Sequence, residues 1–67
     1  MTGTIIEVID GASIWLLLVN TGRRIVDQVI EPRYMADIVQ GLGLSHPADL
    51  VGRETELSED GMAVGFP

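Results

Sequence analysis

The sequence predicts a mostly β fold with one helix, an α+β chain in the order β-β-β-α-β-β, and three observations carry that expectation. Residues 4–9 and 24–30 are rich in β-branched side chains. They flank residues 13–20, whose six consecutive apolar side chains, Ile14 to Val19, are too few for a lone core helix. Turn-forming residues, Asp10-Gly11 and Asn20-Thr21-Gly22, stand between the three stretches. Beyond Pro32 the apolar period changes to that of a helix, at Tyr34, Met35, Ile38, Val39 and Leu42. Such an order suits a small five-stranded barrel of OB-like or SH3-like kind, formed by residues 1–67 as a single domain.

Each element has its own local reason. Thr4, Ile5, Ile6, Val8 and Ile9 are strand formers interrupted only by Glu7, and Ile6 with Val8 is expected to face the core. Residues 13–20 form the middle of a three-stranded meander, with both edges paired. Gly22 supplies the positive φ that the turn into the third strand requires, and Val26 and Ile30 are expected to face inward. Pro32 fits the first helical position, where its missing N–H is no loss. Gly43 is expected to end the helix in the left-handed conformation, with Leu44 folding back beside it. A single helical turn follows at Pro47 and stops at Gly52. The fourth strand, 53–57, turns Thr55 and Leu57 in and Glu54 and Glu56 out. Residues 58–61 form a turn, and the fifth strand, 62–66, places Met62, Val64 and Phe66 on one side, with Val64 and Phe66 expected to face the core.

Residues 13–20 pose the main problem, because two apolar rows need cover. Ile14, Leu16 and Leu18 point one way, and Trp15, Leu17 and Val19 the other. One helix and one hairpin cover a single face. The expectation is that the first row belongs to the fold and that Trp15, Leu17 and Val19 meet a partner, most simply a second copy of the chain.

Composition narrows the function. A chain of 67 residues is near the lower size for unaided folding, and it has no cysteine for disulfides and a single histidine, His46. Oligomerisation is the remaining supplement. Ten acids oppose four bases, all arginine, for a net charge of −6, which disfavours non-specific contact with nucleic-acid phosphates or anionic lipid. The longest apolar run is far short of the roughly 20 residues that span a bilayer, and no targeting segment is recognisable. A soluble cytoplasmic protein without a membrane role is expected.

Chemistry-bearing constellations are sparse. Ser45 adjoins His46, but neighbours at a helix start act as caps, and no third group orients them. Glu54, Glu56, Glu59 and Asp60 lack the spacing and glycine of a calcium loop. The glycines lie singly, with no phosphate-cradling pattern. No catalytic residue, metal ligand or cofactor site is therefore expected. The function that follows is a non-catalytic protein-interaction module that self-associates and binds a protein partner. Two alternatives accompany it. One is an OB-like binder of single-stranded nucleic acid that depends on Arg23 and Arg24. The other is an acidic decoy occupying the groove of a nucleic-acid-binding protein.

Overall fold

The computed structural model describes residues 1–66. Strands β1 (Thr2–Asp10), β2 (Trp15–Asn20) and β3 (Ile25–Ile30) precede helix α1 (Pro32–Gly41). A 3-10 turn at Pro47–Leu50 and strands β4 (Glu54–Leu57) and β5 (Ala63–Gly65) complete the chain, in the expected order. Every pairing is antiparallel, and one five-stranded sheet runs β3-β2-β1-β4-β5. The meander is present with β2 in its middle, but the centre of the whole sheet is β1. The sheet curls into a half-barrel, with α1 and the 3-10 turn packed inside the curl.

β1 reaches two neighbours by changing partner along its length. Residues Thr4 to Asp10 pair with β2, and Thr2 to Thr4 pair with β4. The register to β2 slips by one residue between Ile5 and Glu7, a β-bulge that reverses the side-chain phase. Gly3 and Ile5 face inward before it and Val8 after it. Ile6, expected in the core, is 39% exposed, and fully buried Ile5 takes that place. Where β1 crosses between β2 and β4, glycine at position 3 lets the neighbours close in tightly. A Cβ there would lie 2.8 Å from Val19 Cγ1 and 3.1 Å from Leu57 Cδ1.

Local signals place the turns and the helix. Gly22 adopts φ +94°, with its N–H bound to the Asn20 side chain. The β1–β2 turn uses Ala12 rather than Gly11 as its left-handed residue, at φ 72°, with the Asp10 carboxylate accepting from Ala12 N at 2.9 Å. α1 begins at Pro32 and ends as expected: Leu44 N donates to Val39 O and Gly43 N to Gln40 O around left-handed Gly43. Asp49 reaches back to accept from Ser45 N and His46 N, so those two residues are held by their backbone at the start of the 3-10 turn.

Ile5, Leu17, Val19, Ile30, Met35, Ile38, Leu50 and Leu57 form the core cluster. Met35 and Ile38 are its helical contribution, whereas Tyr34, expected on the same face, is half exposed. On β4, Thr55 and Leu57 point in, and buried Thr55 donates through its hydroxyl to Gly65 O at 2.7 Å. The expected parity of β5 is reversed. Ala63 is buried and Val64 is 62% exposed, because a register shift in the β4–β5 pairing turns the strand. Phe66 packs beside the core.

Candidate interaction surfaces

The pairing register sorts β2 into an inner and an outer row. On the inner side, Val8 pairs with Leu17 and Leu17 with Gln28, Ile5 with Val19 and Val19 with Val26, and Trp15 with Ile30. Leu17 and Val19 have no exposed surface, and Trp15 packs partly buried against the same core. The assignment of Trp15, Leu17 and Val19 to an interface is thus corrected: helix α1 covers this row within the chain itself. The physical reason is the bulge in β1, which fixes Ile5 and Val8 inward and carries their partners on β2 with them.

The opposite row forms the outer face of the meander. Ile9, Leu16 and Val29 stand side by side across three strands, and the next row is Glu7, Leu18 and Asp27. Ile9 is 39% and Val29 59% exposed, with Ile25 and Ile14 exposed at the margins. Two carboxylates therefore bracket Leu18 beside a continuous apolar strip, and strands β1–β3 carry no lysine or arginine. No aromatic side chain stands on this face, since Trp15 lies in the inner row.

Arg23 and Arg24 lie apart from it, at the exposed tip between β2 and β3. They line a cleft of about 460 Å³ together with Met1, Leu57, Glu59 and Asp60. The tip of the β4–β5 hairpin thus brings two carboxylates into the same cleft as the two guanidinium groups, which weakens the local positive field that a phosphate backbone would need. A shallower groove of about 290 Å³ lies between α1 and the end of the chain, floored by Ile38, Leu42 and Phe66.

The two edges of the sheet meet at a seam. Gln28 on β3 donates from Nε2 to Ala63 O at 3.0 Å and accepts at Oε1 from Ala63 N at 2.8 Å. Among the described residues no backbone ladder joins β3 to β5, so one carboxamide spans the gap. Residue pattern alone gave no sign of this contact, whose partners are 35 positions apart.

The residues weighed for chemistry in the sequence are placed as follows among the described residues. No group of three or more His, Asp or Glu side chains converges as a metal would need, and Ser45 and His46 are both exposed. Among the described residues no helix is long and apolar enough to cross a membrane. Comparison with family models, with curated proteins and with solved structures finds no match to the chain.

Proposed function

We propose that this chain is a small OB-like barrel serving as a non-catalytic protein-interaction module, and that it docks a cationic, partly apolar protein surface on the outer face of β1–β3. The OB-like reading is supported by the helix between the third and fourth strands, by β1 pairing with both β2 and β4, and by the approach of β3 to β5. The observation that carries the partner chemistry is the strip Ile9–Leu16–Val29 lying against Glu7 and Asp27, with no base on those strands. Apolar area supplies affinity, and the bracketing carboxylates select a partner of opposite charge.

A second copy is a poorer occupant than the expectation from Trp15, Leu17 and Val19 implied. Leu17 and Val19 are enclosed and Trp15 partly so, and a two-fold contact of outer faces would bring acidic rows toward each other in chains of net charge −6. Single-stranded nucleic acid is disfavoured by the same face, which offers neither cations nor stacking rings. The acidic-decoy idea is contained in the main proposal as one kind of cationic partner.

The test compares the parent with Leu16→Asp, which charges the strip without touching the core. Immobilised protein is challenged with native lysate at low salt and at about 0.3 M salt, where surface attraction is screened. Supporting results are basic proteins retained by the parent, released by salt and lost in Leu16→Asp. Capture that is indifferent to Leu16→Asp, or no capture, overturns the proposal. Light scattering over a concentration series decides the competing occupant, because association lost in Leu16→Asp would assign the face to a second copy.

A further inference from the structure

The outer face does not exhaust the binding capacity of this fold, because the seam between β3 and β5 carries unpaired backbone. Thr21 N donates to Arg24 O across the β2–β3 turn. Antiparallel pairs alternate between bonded and non-bonded. Counting from Thr21–Arg24, the pairs Asn20–Ile25, Leu18–Asp27 and Leu16–Val29 are non-bonded. The N–H and C=O groups of Ile25, Asp27 and Val29 therefore face away from β2, toward the seam. The same count applies on the other side. Ser58 N donates to Met62 O, so Leu57–Ala63 is a non-bonded pair and the peptide groups of Ala63 face away from β4.

Ala63 has both of those groups satisfied by the Gln28 carboxamide, which donates to its oxygen and accepts from its nitrogen. Exchange of both bonds with one partner is what a residue on a neighbouring antiparallel strand would do. Gln28 thus stands in for a peptide group. It leaves the opposing edge, Ile25, Asp27 and Val29, without a backbone partner among the described residues.

We infer that the seam accepts an extended peptide segment of a partner protein, which displaces the Gln28 carboxamide from Ala63 and adds a strand to β3. Backbone bonds supply the attachment, as in other cases of strand addition. Side chains of such a strand alternate between the two faces. Those on the inner side meet Val26 and Ala63, and those on the outer side meet the Asp27 carboxylate. The preferred segment therefore alternates apolar and cationic residues. The two sites share Asp27 and Val29, but the seam is engaged through the β3 backbone and the outer face through side chains, so either can fail without the other.

The probe is an alternating Lys-Val peptide of about six residues, the usual length of a strand. It is titrated into the ¹⁵N-labelled protein, with an alternating Glu-Val peptide as control. The expected result is perturbation of the amides of Asp27, Val29 and Ala63 by the Lys-Val peptide alone. Gln28→Ala, which removes the competing carboxamide, should bind about tenfold tighter, the equivalent of one to two hydrogen bonds. Val29→Pro removes an edge donor without touching the β2 ladder, so it should lose binding that Val29→Ala retains. If Gln28→Ala does not fold, the Val29 pair decides the question.

Unperturbed seam amides overturn the inference, as does equal binding by Val29→Pro and Val29→Ala. Shifts confined to Ile9, Leu16 and Leu18 place the peptide on the outer face; the seam proposal then falls and the outer-face proposal stands. Binding weakened by Gln28→Ala would show that Gln28 is a ligand-contacting group and not a stand-in, and would also overturn it.

Discussion

Replacing Gln28 by leucine tests how much the seam contributes to the stability of the fold. Gln28→Leu keeps the side-chain volume but removes both the donor to Ala63 O and the acceptor from Ala63 N. A neutral hydrogen bond contributes about 0.5–1.5 kcal/mol net, so the pair is worth about 2 kcal/mol. Ala63 is only 7% exposed, which raises the loss toward 3 kcal/mol if its groups stay dry, whereas entry of water lowers it. For a domain of this size each kcal/mol moves Tm by about 4–8 °C, so a fall of about 8–16 °C is expected. Thermal unfolding followed by far-UV circular dichroism, at one fixed protein concentration, measures it. A Tm within about 3 °C of the parent would refute the reasoning, since two bonds of this kind cannot be worth so little. Gln28→Glu adds a pH signature. A protonated carboxyl can donate and accept as the amide does, but a carboxylate can only accept and meets Ala63 O with like polarity. The folded form therefore holds the carboxyl proton more tightly than the unfolded chain, whose carboxyl titrates near 4.3. The variant should match the parent below about pH 4 and lose stability as pH rises through the raised titration.

Two further substitutions probe the core. Gly3→Ala forces a methyl to within 2.8 Å of Val19 Cγ1, beside the Asn20 carbonyl at 3.1 Å, and should cost about 1–3 kcal/mol in urea unfolding; an unchanged midpoint would show that β1 does not pass so closely between its neighbours. Leu17→Ala should cost about 2–5 kcal/mol, whereas Leu16→Ala, one position along and on the outer face, should cost less than about 1.5 kcal/mol. Equal losses in the same unfolding assay would refute the assignment of the two rows.

Legibility in the sequence divides along the reach of the interactions. The turn at Gly22, the helix opened by Pro32 and the left-handed Gly43 closed by Leu44 are set by neighbours within about five positions, and local residue chemistry was enough to place them. Which row of β2 faces inward was not legible, because Ile14, Leu16 and Leu18 match Trp15, Leu17 and Val19 in apolar character. The choice is made by the bulge in β1, visible in the sequence only as an imperfect alternation around Glu7. The parity of β5 was lost for a similar reason, since it follows from a register shift in the β4–β5 pairing that residue alternation does not show. The candidate surfaces inherit that division. Their residues could be named, but which of them faced solvent depended on pairing.

The change of partner along β1 also fixes an order of events in folding. Pairing of β1 with β2 and of β2 with β3 closes only short loops, whereas joining Thr2 to Glu56 closes one of 54 positions. The larger closure costs more chain entropy and returns its reward later, so the meander forms early and the β4–β5 hairpin docks late. Substitutions in β4 and β5 should accordingly speed unfolding more than they slow folding. The last part to dock is also the first to let go, and that places the natural opening of this molecule at the edge where Gln28 holds Ala63.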